Sequence, residues 1–267
     1  MRIRVFLALA AGAAFCAGAQ ENAADRGKRV VSEALRALGG DAFLRMEDRV
    51  EAGRAYSFYR SALTGLDVAR IYTRYARAGD PAAAGKVRVS EREAFGKKEE
   101  AAVLFNAEGA WDISFRGARP LADERYANFQ DSTRRNIFYI LHDRLNEPGL
   151  TLLSEGADMF ENRPVETVSI ADAGNQTVTV YFSQSDKLPV RQQFRRRNAQ
   201  FKDFDTETTI FANYRAVGGV KWPFNIRRER NGDKIYEMFS ESVEIDKNLP
   251  DNLFTLPGNV KMLPKLD

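Results

Sequence analysis

Cysteine and histidine are almost missing from this chain, which carries one of each, Cys16 and His142, in 267 residues. A structural zinc site takes about four nitrogen or sulfur ligands, so most metal and thiol chemistry is excluded and no metal or other cofactor is expected. Excess charge is missing as well: 40 Lys and Arg stand against 37 Asp and Glu. A nucleic-acid binder shows a strong basic surplus, so that class is set aside. A long hydrophobic run is also lacking. The apolar stretch at residues 5–15 falls short of the roughly 20 residues needed to cross a bilayer, and nothing later in the chain reads as a span. There is no Gly-x-Ser-x-Gly, phosphate loop or dinucleotide fingerprint. What is present is an ordinary globular composition, 44% hydrophobic and 29% charged, with enough length for a sizeable core.

The first twenty residues read as an export leader. Arg2 and Arg4 precede the apolar run, and Ala17-Gly18-Ala19 fits the small-x-small cleavage pattern, which predicts a signal peptide over 1–19 and a mature chain from Gln20. Cys16 follows Phe15, where lipoprotein leaders carry Gly, Ala or Ser. A soluble periplasmic protein is therefore expected rather than one anchored through Cys16. A mature chain without cysteine must draw its stability from core burial.

Residues 21–38 have Val30, Val31, Ala34, Leu35 and Leu38 at helical spacing, and Gly39-Gly40 supplies a stop. Short segments rich in Val, Ile, Tyr and Phe then predict strands at 71–75, 86–89, 101–105 and 110–115, with a hairpin loop at 106–109 and a loop at 80–85. Residues 121–146 predict a second helix, with Tyr126, Phe129, Thr133, Ile137, Ile140, Leu141 and Leu145 as its apolar stripe and Pro148-Gly149 as its stop. Strands follow to about 245. Val178, Val180 and Phe182 alternate with polar neighbours, as do Val190, Gln192 and Phe194, and Asn231-Gly232 signals a tight hairpin. The order helix, strands, helix, strands, with no linker to split it, predicts one α+β domain over 20–267, an antiparallel sheet with helices gathered on one face.

The catalytic inventory is thin. His142 has Asp143 beside it, but neighbours on an α-helix point about 100° apart, so a satisfied or surface histidine is the expectation. The acid pairs Glu91/Glu93 and Glu99-Glu100, and the basic clusters Arg134-Arg135, Arg195-Arg196-Arg197 and Arg227-Arg228 with Arg230, read as a polar outer sheet face. An enzyme is not expected. The aromatic last third, including Phe201, Phe204 and Phe239, reads mainly as core.

Several passages carry a resemblance. Residues 214–223, Tyr-Arg-Ala-Val-Gly-Gly-Val-Lys-Trp-Pro, resemble the strand, Gly-Val, aromatic-Pro, strand passage of the LolA/LolB-like lipoprotein carriers, which include the outer-membrane lipoprotein-sorting group. The closing Asn248-Leu249-Pro250-Asp251-Asn252-Leu253-Phe254-Thr255-Leu256-Pro257 is similar to that group's ending. Asn162-Arg163-Pro164-Val165 and Leu188-Pro189-Val190-Arg191 resemble its central hairpin. The resemblance implies a strongly curved antiparallel sheet, an unclosed β-barrel, with helices covering its concave face and an apolar cavity between. In such a fold the expected lining is Phe105, Trp111, Phe129, Ile137, Leu141, Phe211, Trp222, Phe224 and Met238. The implied function is an exported carrier or binding protein for an acylated lipoprotein, a lipid or another apolar ligand, with envelope membrane proteins as further partners. The alternatives are an adaptor module of an envelope complex with a filled core and no ligand, and an exported enzyme using a carboxylate pair on the concave face.

Overall fold

The computed structural model describes residues 21–76, 86–198 and 201–265. The leader at 1–19 and the loop expected at 80–85 lie outside them. The first helix, α1 (Ala23–Leu38), is opened by the Asn22 side chain, which accepts from the Asp25 amide. Gly39, at φ +132°, closes it, and a short α2 (Asp41–Leu44) follows. Six strands come next: β1 (Asp48–Tyr59), β2 (Ala62–Tyr75), β3 (Val89–Phe95), β4 (Ala101–Phe105), β5 (Ala110–Ser114) and β6 (Gly117–Pro120). A helical crossing of α3 (Asp123–Arg134) and α4 (Ile137–Tyr139), which runs into a π-helical turn at Ile140–Arg144, leads to the second set. That set is β7 (Thr151–Phe160), β8 (Arg163–Ala171), β9 (Thr177–Ser183), β10 (Pro189–Arg197), β11 (Phe204–Val217), β12 (Val220–Arg230) and β13 (Asp233–Ile245).

Among the described residues all thirteen strands form one antiparallel sheet in the order β6-β5-β4-β3-β2-β1-β13-β12-β11-β10-β9-β8-β7. The first six strands step outward from β1, and the last seven step back until β13 pairs with β1. The edges, β6 and β7, are consecutive in the chain and are joined by the helical crossing rather than by hydrogen bonds. The sheet is thus curved and unclosed, as the resemblance implies. Two-residue turns with positive φ at both positions make the tight corners: Arg60-Ser61, Glu161-Asn162, Gly218-Gly219 and Asn231-Gly232. Such turns match the right-handed twist of the flanking strands.

Two expected elements differ. The stretch at 86–89 joins a strand only at its last residue. The Val87 amide donates to Gln130 Oε1 (2.8 Å) and the Arg88 amide to the Tyr139 hydroxyl (2.9 Å), so these groups bind the helical crossing instead of a neighbouring strand. The helix expected over 121–146 is broken at Arg135-Asn136, where Asn136 turns its side chain to accept from the Phe138 amide and starts a new helix. A side chain that caps gives a backbone donor its partner and redirects the chain.

The inner face is filled at one end only. Val30, Val31, Ala34 and Leu38 of α1 pack with Phe43, Ile137, Ile140 and Leu141 against Val168, Val180 and Phe182 of the sheet. Gly27 lets α1 come this close: a Cβ there would lie 2.5 Å from the Leu152 carbonyl oxygen of β7. Gly27→Ala is therefore expected to destabilise the protein by about 1–3 kcal/mol, although Ala is the better helix former. Urea unfolding checks this, and an unchanged or raised midpoint would show that the helix can shift outward without loss. On the outer face a smaller cluster forms where Leu249, Leu253 and Phe254 of the closing segment cover Tyr72, Ala94 and Ala102.

Candidate functional site

Where α1 does not reach, the inner face is left hollow. A cavity of about 410 Å³ lies between the sheet and α3. This is within the size range of small-molecule sites, about 300–1,000 Å³. Strand register fixes what faces it. Arg49, Thr73, Glu91 and Phe105 stand side by side on β1 to β4, and Glu51, Ile71 and Glu93 form the next row. From the other half, Gln192, Thr209, Arg228 and Tyr236 continue the wall across β10, β11, β12 and β13. Phe129 of α3 closes over the row by stacking on Phe105, with ring centroids 4.2 Å apart.

The wall has an apolar and a polar part. Phe138 joins Trp222 (4.6 Å) and Phe211 (5.0 Å) in one aromatic group, with Met238 and Ile226 further along the cavity. On the polar part, Arg49 donates through Nε to Glu51 Oε1 (2.8 Å) and through Nη2 to Thr73 Oγ1 (3.0 Å), and Ser240 donates to the other oxygen of Glu51 (3.3 Å). Burial, reinforced by the neighbouring Glu93, pushes the Glu91 carboxyl up to about 7. Burial likewise raises the Tyr236 phenol, again with Glu93 contributing. A low-dielectric wall that withholds water from a carboxylate favours its neutral form.

Five of the nine residues expected to line a cavity do so: Phe105, Phe129, Phe211, Trp222 and Met238. Four do not. Trp111 is paired with Leu104, whose register partners run through Arg92 to Tyr72 on the outer face. Ile137 and Leu141 follow the break at Asn136 and sit fully buried in the filled end. Phe224 packs in that same core, with the Arg215 guanidinium 4.4 Å from its ring.

The charged residues also need correction. Glu91, Glu93, Arg228 and Arg230 line the hollow rather than an outer face, and Arg196 reaches from the same wall to Asp131 (3.2 Å) and Ser132 (2.5 Å) on α3. Arg49, Glu51, Thr73 and Gln192 were not singled out by composition or motif. Only Gln192 left a trace, by sharing the parity of Val190 and Phe194. Of the aromatic last third, Phe201, Phe204 and Phe239 are exposed. His142 does meet Asp143, with Nδ1 2.8 Å from Oδ2, because it lies on a π-helical turn where successive side chains are less than 100° apart. Its Nε2 is 2.9 Å from the Met46 carbonyl, and its ring stacks on Tyr75 at 4.0 Å, so both nitrogens are used within the fold.

The cover is attached mainly by polar contacts. No residue of α3 is fully buried. The helix is held by the Phe129 stack, by the Tyr126 hydroxyl donating to the Asn106 carbonyl (2.8 Å), by Gln130 accepting from the Val87 amide (2.8 Å), by Arg144 donating to the Arg134 carbonyl, by the Lys265–Asp123 ion pair and by the Arg196 contacts. Amide hydrogen exchange is expected to be faster across α3 than across α1, because local opening there exposes little apolar surface. Equal protection of the two helices would show α3 to be part of the cooperative core.

The sequence matches no family model and no curated protein. Solved structures do match. A DUF1329 family protein from Desulfovibrio piger aligns over 88% of this chain and 98% of its own, with a TM-score of 0.58 and 11% identity. A Vibrio parahaemolyticus domain assigned as an outer membrane lipoprotein-sorting protein aligns over 86% and 97%, with a TM-score of 0.52 and 13% identity. The chain shares its fold with these two proteins. A LolA superfamily protein from Nitrosomonas europaea is also similar, over 86% and 97%, with a TM-score of 0.48 and 12% identity. Among the described residues no helix is long and apolar enough to cross a membrane.

Proposed function

We propose that this chain is an exported, periplasmic carrier or binding protein that takes a lipid, the acyl part of a lipoprotein or a similar amphiphile into the hollow under α3, and that it is not an enzyme. The observation that carries this reading is the hollow itself, a cavity of about 410 Å³ with an aromatic and aliphatic side. Moving apolar chain from water onto such a wall is worth about 0.8 kcal/mol per CH₂. The lack of a fully buried residue on α3 supports entry from that side, and the fold shared with a lipoprotein-sorting domain agrees with the reading. A filled interior would have favoured the adaptor reading.

One observation favours a second reading. Glu91, held near pH 7 beside Glu93 in a cleft, has the proton affinity of a general acid or base. An enzyme acting through this pair would lose turnover in Glu91→Gln while still binding its substrate.

Native mass spectrometry tests the carrier reading. The protein would be exported with its own leader in a bacterial host and purified from the envelope fraction without detergent. Bound species of lipid mass, lost on partial unfolding, are expected. A bare polypeptide mass, together with failure to bind a fluorescent fatty acid, would overturn the proposal.

A further inference from the structure

Strand register lines up three donors on the inner wall. Thr209 of β11, Arg228 of β12 and Tyr236 of β13 are cross-strand neighbours, and all three line the hollow. Among the described residues none of these side chains has a hydrogen-bond partner, and no carboxylate lies within ion-pair distance of Arg228. Its guanidinium stands 5.2 Å from the centroid of the Tyr236 ring. Arg228 is exposed and the other two are half-buried, so the row is open to the cavity. A guanidinium only donates and a hydroxyl can donate, so the row offers an anion three donors that no internal bond has to release. The next row, two residues or about 7 Å along the strands, is apolar: Phe211, Ile226 and Met238.

The acids on this wall leave a positive surplus. Glu51 accepts from Arg49 (2.8 Å), Glu207 from Arg230 (2.9 Å), and Arg196 is held by Asp131 (3.2 Å). Burial keeps Glu91 protonated below about pH 7. Glu93 then stands alone against Arg228 and against Arg125, which reaches the same cavity from α3 with no side-chain partner among the described residues.

We infer that the hollow takes an amphiphile with an anionic head, the head accepting from Arg228, Thr209 and Tyr236 and the apolar chain lying along Ile226, Met238 and Phe211 toward Phe138. This rests on the carrier reading and adds the charge and the direction of the ligand. Hydrogen bonds between a guanidinium and an ionised oxygen are about twice as strong as neutral ones, and the planar fork fits a carboxylate or a phosphate. The chain follows from the apolar row beside Arg228, which Phe138 continues through its contact with Phe211 (5.0 Å). Arg125 adds positive potential from the side of the cover.

Dodecanoate, dodecyl phosphate, dodecanol and dodecyltrimethylammonium would each be titrated into the unaltered protein at pH 6.5 by calorimetry, below their micelle concentrations. At least one of the two anions is expected to bind about tenfold or more tighter than dodecanol, with the cation weakest. A preference for the carboxylate would point to a fatty acid and a preference for the phosphate to a lipid phosphate, and either supports the inference. Arg228→Gln should bring the anions down to the level of dodecanol and leave dodecanol unchanged. Thr209→Val and Tyr236→Phe should each weaken the anions a few-fold. Arg227→Gln, one residue away and paired with Glu229, should change neither, which separates this site from overall charge. Equal binding of the anions and dodecanol to the unaltered protein would overturn the inference and leave the carrier reading in place. Anion binding that survives Arg228→Gln in a folded protein would do the same. Binding of none of the four would remove the carrier reading as well. The comparison of ligands on the unaltered protein decides the matter even if a variant fails to fold.

Discussion

Leu141→Ala is expected to cost about 2–5 kcal/mol of stability while leaving the affinity of an apolar probe for the hollow unchanged. The helical stripe in the sequence places Leu141 with Phe129 on one wall, so widening a pocket would be the expected effect of the change. The structure separates the two residues. Phe129 precedes the break at Asn136 and covers the cavity, whereas Leu141 follows it and is fully buried between α1 and the sheet. Truncation there removes packed contacts and leaves a void that tightly packed neighbours cannot fill, which is the costly case for a large-to-small change. Phe129→Ala is the opposite experiment. Phe129 is only half-buried, so the loss of stability should be smaller and the loss of probe binding larger. Urea unfolding and displacement of a fluorescent fatty acid, measured on both variants, check the pair. Probe binding altered more by Leu141→Ala than by Phe129→Ala would mean that the filled and hollow ends have been assigned the wrong way round.

Glu91→Gln is expected to stabilise the protein at pH 8, by at most about 3 kcal/mol, and to change it little at pH 5. The carboxyl titrates near 7 in the folded protein, raised from 4.5 first by burial and then by Glu93, with Glu51 adding to the effect and Arg228 and Arg49 opposing it. Between these values the folded state binds more protons than the unfolded state. This group's contribution is thus fully present below pH 4.5 and is lost as pH rises through 7. Glutamine keeps the neutral form's shape and an oxygen for the Thr73 hydroxyl, which lies 3.4 Å from Glu91. The stability curves of the two proteins should converge at pH 5 and diverge toward pH 8. Parallel curves across that range would place Glu91 in contact with bulk water and contradict its burial in the wall.

Local order was legible in the sequence wherever one residue type satisfies one backbone need. Gly39 ends α1 because the positive φ there suits glycine, and Asn231-Gly232 makes the β12–β13 turn for the same reason. Asn106 builds the loop after β4 by accepting from the Glu108 and Gly109 amides, and Val178, Val180 and Phe182 alternate into the core as their period of two requires. The long β1–β2 hairpin gave no such sign, since Arg60-Ser61 adopts positive φ without glycine and is held there by the strands on either side. Asn136 could equally have continued a helix or restarted one, and the core into which Ile137 and Leu141 pack made the choice.

The hollow and its chemistry were decided only by the tertiary structure. Alternation shows that Glu91 and Glu93 share a face, as Trp111 and Ile113 do, but it does not say which face is concave. Charge suggested the outside for the acids and size suggested the inside for the tryptophan, and both suggestions were reversed. A concave face can hold carboxylates that find partners on it, as Glu51 does in Arg49 and Glu91 in Thr73, while the outer face can bury an aromatic ring. Whether a cavity remains depends on how far two helices reach across thirteen strands, a sum over the whole chain that no short stretch of sequence contains.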